Sequence, residues 1–159
     1  MKVVAFSGSP RAQGNTRTLL DEVLRGATSE GATCEFVDVG SADIRPCKAC
    51  QSCSTRGTCV QKDGMEQVYP KILEADVLVL GTPVYFWGPS AQMKTFIDRW
   101  YALVSGRGRN ELRGKKAVVV TAYGDTDPST PQHVVGMFRT AFHFIGIDLV
   151  GTLGVTAIG

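Results

Sequence analysis

An α/β architecture follows from three features of the sequence. Short apolar runs are fit for strands buried on both faces, stretches of helical periodicity separate them, and unusual polar or aromatic segments stand at the exits of the first, third and fourth runs. Five runs alternating with helix patterns predict a doubly wound five-stranded parallel sheet with right-handed crossovers and strand order 2-1-3-4-5. A chain of 159 residues, 43% hydrophobic, suffices for one well-cored domain over 1–159 and is too short for two of ordinary size.

Taken in order, Lys2 to Ser7 is the first buried strand. Leu19, Leu20, Val23, Leu24 and Ala27 then recur with helical spacing from Thr16, and Gly31 stops the helix. Thr33 to Val39, bounded by glycines, reads as the second strand, with Cys34 a small core residue inside it. Ser41 to Lys62 has no apolar period and reads as a functional excursion, a cysteine-rich loop. Asp63 and Glu66 resemble a capping box before a helix through Met65, Val68, Tyr69, Ile72 and Leu73, which Pro70 should kink or shorten. Asp76 to Gly81 is the third strand, followed by the loop TPVYFWGPS. Pro89 suits the first turn of a helix continuing through Met93, Phe96, Ile97, Trp100, Tyr101 and Val104. Lys116 to Ala122 is the fourth strand. Thr130-Pro131 opens a helix through Val134, Val135, Phe138, Phe142 and Ile145, and Ile147 to Val155 is a fifth strand interrupted by Gly151 and Gly154.

Seventeen basic against fifteen acidic residues give a net charge of +2, which makes no case for a nucleic-acid or membrane partner. The densest basic stretch, Arg107, Arg109, Arg113, Lys115 and Lys116, reads as a solvated loop. No run approaches the ~20 apolar residues of a membrane span, and the expected location is cytoplasmic.

The first strand leads into SGSPRAQGNT, where small residues curl the backbone just before a helix N-terminus. Unpaired N–H groups and the helix dipole favour an anion there, with Ser7, Ser9, Arg11, Asn15 and Thr16 within reach. The spacing is neither the Walker pattern nor GxGxxG. In the predicted strand order the switch point lies between the first and third strands, so this cradle faces TPVYFWGPS, with Tyr123-Gly124-Asp125 beside it. A phosphate grip opposite Tyr85-Phe86-Trp87 suits a ligand with a phosphate tail and a flat ring system, which is the shape of flavin mononucleotide (FMN).

Four of the five cysteines, Cys47, Cys50, Cys53 and Cys59, are spaced CxxCxxCx5C, close to iron–sulfur ligand patterns. Zinc, usually held by two more widely separated CxxC pairs, and free or redox-active thiols are the alternatives. His133 and His143 lie ten apart, off any common metal-binding step, and read as surface or core residues of one helix.

Together SGSPRAQGNT, CKACQSCSTRGTC, KDGM, EADVLVLGTPVYFWGPSAQMKTFIDRW and AYGD resemble, in order, the NAD(P)H-dependent FMN reductases of the flavodoxin-like superfamily, specifically their iron–sulfur flavoprotein branch. The resemblance covers most of the chain. It implies that Ser9, Arg11, Asn15 and Thr16 hold the FMN phosphate. Pro83, Val84, Tyr85, Phe86 and Trp87 line the ring, and Gly124 and Asp125 close its other side. Cys47, Cys50, Cys53 and Cys59 hold a [4Fe–4S] cluster by the same resemblance. Lys94, Asp98 and Arg99 match a recurring helix and read as structural ion-pair or interface residues, with no separate catalytic side chain. Family members usually continue into a final helix beside the first; its absence would leave apolar sheet surface for a partner subunit to cover, as in a homo-oligomer. The implied activity is an FMN-dependent oxidoreductase drawing electrons from NAD(P)H or a ferredoxin-like donor and passing them to a quinone, nitroaromatic, flavin or oxygen. The alternatives are a non-enzymatic electron carrier and a flavin-binding sensor with a structural zinc loop.

Overall fold

The apolar runs pair side by side as expected of buried parallel strands. A computed structural model describes residues 1–105 and 110–156; Arg107 and Arg109 of the basic stretch lie outside them. The strands are β1 (Lys2–Ser7), β2 (Thr33–Asp38), β3 (Val77–Tyr85), β4 (Gly88–Pro89), β5 (Lys116–Tyr123) and β6 (Asp148–Thr156). The helices are α1 (Asn15–Ser29), α2 (Ser52–Arg56), α3 (Met65–Glu74), α4 (Ala91–Asp98), α5 (Tyr101–Val104) and α6 (Gln132–Ile145). The sheet runs β2-β1-β3-β5-β6, every pair along that path parallel.

The sheet has six strands rather than the expected five. The addition is β4, two residues antiparallel to the end of β3. It exists because β3 does not stop at Gly81: it continues through Thr82–Tyr85, and Phe86 and Trp87 turn the chain back so that Tyr85 pairs with Gly88. Pro89 therefore ends a hairpin instead of opening a helix, and Ser90 caps α4 in its place, its Oγ accepting from the Met93 N–H at 3.1 Å. The single helix expected as far as Val104 is two, α4 and α5, meeting at Arg99 and Trp100. Pro70 sits inside α3 without ending it.

Strand alternation sorts the core into two layers. Val4, Phe6, Leu78, Leu80, Ala117 and Val119 point to the face covered by α3, α4 and α6, where Phe96, Trp100, Phe138 and Phe142 complete the larger cluster. Burying a side chain of this size contributes about 1.5–3 kcal/mol. Val3, Ala5, Val79 and Val120 point the other way, onto Leu20 of α1. Gly81 is required there, since a Cβ would stand 2.6 Å from Leu20. Leu153, paired with Val120 on this second face, is 41% exposed.

A local reading changes. Lys115 is not a solvated loop residue: its ammonium donates to the carbonyls of Leu73 and Ala75, both at 2.7 Å, where α3 ends and bare carbonyls attract a cation. Cys34 is partly buried and packs against the edge of the second core cluster, its thiol directed at the Leu24 carbonyl. His133 and His143 are exposed on α6.

Candidate functional site

Backbone geometry builds the cradle. The Gly8 N–H donates to the Gly81 carbonyl at 2.8 Å, continuing the β1–β3 ladder past the strand end. The chain then turns at Ser9, whose Oγ accepts from the Arg11 N–H at 3.1 Å. Gly14 stands at the N-cap of α1, and no side chain caps the helix or places an acid in its first turn. The N-terminal amides and the positive end of the dipole thus face the turn uncompensated, an anion site by construction.

A second contact locks the turn to α4. Ser90, wholly buried, donates its hydroxyl to the Gly8 carbonyl at 2.6 Å, and its N–H reaches Thr82 Oγ1 at 3.0 Å. A Cβ on Gly8 would lie 2.6 Å from Met93 Cβ, so only glycine lets α4 approach this closely.

The structure brings Ser9, Arg11, Asn15 and Thr16 together with Pro83, Val84, Tyr85 and Gly124 around one cavity of about 170 Å³, at the C-terminal ends of β1, β3 and β5. Ser9 and Thr16 are buried, while Arg11 and Asn15 stand exposed at the rim. Gly14, Ala122 and Tyr123 also line it. Gly14 and Tyr123 belong to segments the sequence places at the cradle, whereas Ala122, small and inside the fourth strand, carries no signal of its own. The cavity is smaller than the ~300–1,000 Å³ of sites that enclose a whole ligand, so a molecule gripped there by an anionic end lies with its body outside.

The remaining three expected residues lie elsewhere. Phe86 and Trp87 do not line the cavity; they form the turn of the β3–β4 hairpin, 97% and 56% exposed, with rings edge to face. Asp125 turns its carboxylate to the Thr130 hydroxyl at 2.8 Å and the Asp127 N–H at 2.9 Å, which fixes the loop after β5.

The cysteine excursion forms a second centre. Cys47 and Cys50 are exposed, Cys59 is half-buried and Cys53 is buried. Hydrogen bonds from Ser52 hold the Cys50 thiol below its usual pKa. Cys53 Sγ accepts from the Ser105 hydroxyl at 3.6 Å and Cys59 Sγ from the Arg99 guanidinium at 3.4 Å. In chemistry this donor set suits an iron–sulfur cluster: four thiols on one excursion, three of them already supplied with hydrogen-bond donors. In placement the thiols are not gathered. Among the described residues no three His, Cys, Asp or Glu side chains are disposed to hold a metal ion. Beside this loop a larger, mostly apolar cavity of about 570 Å³ is lined by Cys47, Trp100, Tyr101, Phe142 and Phe144. Gln51 and Asp98 also line it.

Among the described residues, the non-glycine residues with positive φ are Ala49, Gln51, Phe86 and Trp87. All four fall in the two loops of interest, the first pair alternating with cysteines. Such conformations cost about 1–3 kcal/mol each and persist where surrounding structure enforces them, commonly at functional sites.

Of the IDR triplet, Asp98 pairs with Lys94 one turn away, at 2.5 Å. Arg99 is 2% exposed and joins Asp63 at 2.6 Å. Burial alone would raise the Asp63 carboxyl, but hydrogen bonds from Arg99 and from the Arg45 and Met65 N–H groups outweigh it and hold its pKa below the usual value.

The model of the NADPH-dependent FMN reductase family matches residues 1–151. An iron–sulfur flavoprotein of Methanocaldococcus jannaschii is 38% identical over 83% of this chain and 69% of its own length. One from Archaeoglobus fulgidus is 35% identical over 95% of this chain and 66% of its own. This chain thus spans about two thirds of these relatives. Among solved structures, RosB with a bound 8-demethyl-8-formylriboflavin-5'-phosphate intermediate superposes with a TM-score of 0.81 at 18% identity, covering 100% of this chain and 66% of that one. That likeness speaks to the flavodoxin-like fold.

Proposed function

The chain belongs to the NADPH-dependent FMN reductase family, and from that premise we propose that it is an FMN-dependent oxidoreductase whose flavin phosphate sits in the SGSPRAQGNT cradle. The observation that carries this reading is the uncapped N-terminus of α1, facing Ser9, Arg11 and Asn15 where β1, β3 and β5 end. Backbone amides and the Ser9 and Thr16 hydroxyls take the phosphate oxygens, and Arg11 neutralises their charge from the rim. Pro83, Val84 and Tyr85 flank the ring on one side and Gly124 on the other. Phe86 and Trp87 in the exposed β3–β4 turn and Asp125 in the loop after β5 lie outside this cavity and are given no contact with the flavin. When bound, FMN would supply hydride acceptance and onward electron transfer, and the chain would supply orientation and charge.

The donor in this reading is NAD(P)H or a ferredoxin-like protein, and the acceptor is a quinone, nitroaromatic, free flavin or oxygen. Openness of the cradle to solvent supports transient stacking of a nicotinamide on the flavin. We further assign Cys47, Cys50, Cys53 and Cys59 to a [4Fe–4S] cluster. Their spacing, the Ser105 and Arg99 donors and the names of the two relatives support it. The assembly we propose is a homo-oligomer, with no nucleic-acid or membrane partner, in the cytoplasm. Among the described residues no helix is long and apolar enough to cross a membrane.

Protein purified without oxygen tests both cofactors. The expected spectrum combines flavin bands with broad brown absorption, with iron and acid-labile sulfide in the sample and steady oxidation of NAD(P)H. Resolved flavin bands without iron remove the cluster, and zinc at the cysteines replaces it with a structural loop. Steady NAD(P)H oxidation argues against a non-enzymatic carrier, and its absence leaves the ferredoxin-like donor to be tested.

A further inference from the structure

One buried guanidinium gathers the whole cysteine excursion. Arg99 Nη1 donates to the Arg45 carbonyl at 2.7 Å, just before the cysteines, and to Asp63 Oδ2 at 2.6 Å, just after them. Nη2 donates to Asp63 Oδ1 at 3.2 Å and to Cys59 Sγ at 3.4 Å. Arg99 also stands at the C-cap of α4, whose N-cap Ser90 holds Gly8 of the cradle. The two centres are therefore tied to the ends of one helix, a rise of about 14 Å over nine residues. Among the described residues, Arg99 Nε and Gln61 Oε1 find no hydrogen-bond partner, although Gln61 Nε2 donates to the Pro46 carbonyl at 3.1 Å.

We propose that Arg99 is the positioning residue of the cysteine centre: it closes the excursion at both ends and aims one charged N–H at the sulfur of its fourth cysteine. This rests on the reading that the four cysteines hold an iron–sulfur cluster. A cation at that sulfur favours the more negative, reduced cluster, so Arg99 raises the reduction potential as well as fixing Cys59. Lysine cannot replace it, because a single ammonium does not span Arg45, Asp63 and Cys59 together.

The test uses anaerobically purified full chain in three forms: wild type, R99K, and R99M/D63L, which removes the buried pair as a unit and strands no charge. Iron, sulfide and FMN per chain, the electron paramagnetic resonance spectrum of the reduced cluster and its midpoint potential are measured for each. The expected result is FMN at the wild-type level in all three. In R99M/D63L, iron retention against a chelator falls about 10-fold and any remaining cluster is reduced at a more negative potential. R99K is expected to be intermediate, with a potential and spectrum displaced from wild type. Unchanged potential, spectrum and chelator resistance in the variants overturn the assignment of Arg99 while leaving the cluster. If R99M/D63L does not fold, R99K decides alone on the same readouts. Wild type with FMN but no iron or sulfide overturns the cysteine reading, and the role of Arg99 with it.

Discussion

Arg11 and Thr16 act on an anion in different ways. Arg11 is exposed, so salt screens its attraction, whereas Thr16 is buried at the start of α1 and presents its hydroxyl and amide without that loss. Tyr85, half-exposed at the cavity edge, is the aromatic residue of the YFW run that lines it. Replacing Tyr85 by alanine is expected to weaken FMN binding about three- to tenfold through lost ring contact while leaving the thermal midpoint unchanged; fluorescence titration and calorimetry read the two effects separately. Asp63 gives the fold a pH dependence. Its folded pKa is depressed below the unfolded value near 4, so its contribution is complete above that value and is lost as pH falls through the folded one. Thermal unfolding between pH 6 and pH 3 should show wild type losing stability on the acid side more steeply than D63N. D63N should start lower at neutral pH, because it leaves the Arg99 charge buried without its partner.

At the scale of elements, the β3–β4 hairpin shows what the sequence revealed and what it hid. The apolar run at Val77 and the run of aromatics after it were both legible, and the latter did lie at the switch point. What was not legible was the turn. Phe86 and Trp87 both take positive φ, where Asn-Gly is the usual choice, so no turn signal marked the hairpin and the strand seemed to end at Gly81. The same absence hid β4 and misassigned Pro89. The phosphate cradle was readable because small residues before a helix announce themselves. The Arg99–Asp63 pair was not, since it joins positions 36 residues apart that no local pattern links. Two measurements follow. F86N/W87G should raise the thermal midpoint by a few degrees, because the turn then uses residues suited to it, each strained position having cost about 1–3 kcal/mol. S90A should lower stability by about 0.5–2 kcal/mol in denaturant unfolding as the α4 cap is lost, and should also weaken FMN binding through the freed Gly8 carbonyl.

For the whole molecule, the two faces of the sheet are unequally covered. The α3, α4 and α6 face is closed over a continuous aromatic core, Phe6 on Phe96, Phe96 on Trp100 and Trp100 on Phe142, with ring centroids 5.2 to 6.2 Å apart. The α1 face is closed over β1 and β3 but leaves Leu153 exposed at β6, the strand on which Val150 is also 57% exposed. A partner subunit on that edge fits the homo-oligomer proposed above. Light scattering should give a mass above that of one chain, and L153K should reduce it; a wild-type chain that runs as a monomer contradicts the proposal. Five parallel strands place three loops at one end of the sheet, and the central claim is that the first of these holds a flavin by its phosphate. Titration of the flavin-free chain with FMN, comparing wild type with R11A/N15A, tests that claim most directly. The account predicts one FMN per chain for wild type and binding weakened at least about 10-fold in the variant, with both proteins equally folded. Equal affinity in the two would contradict it.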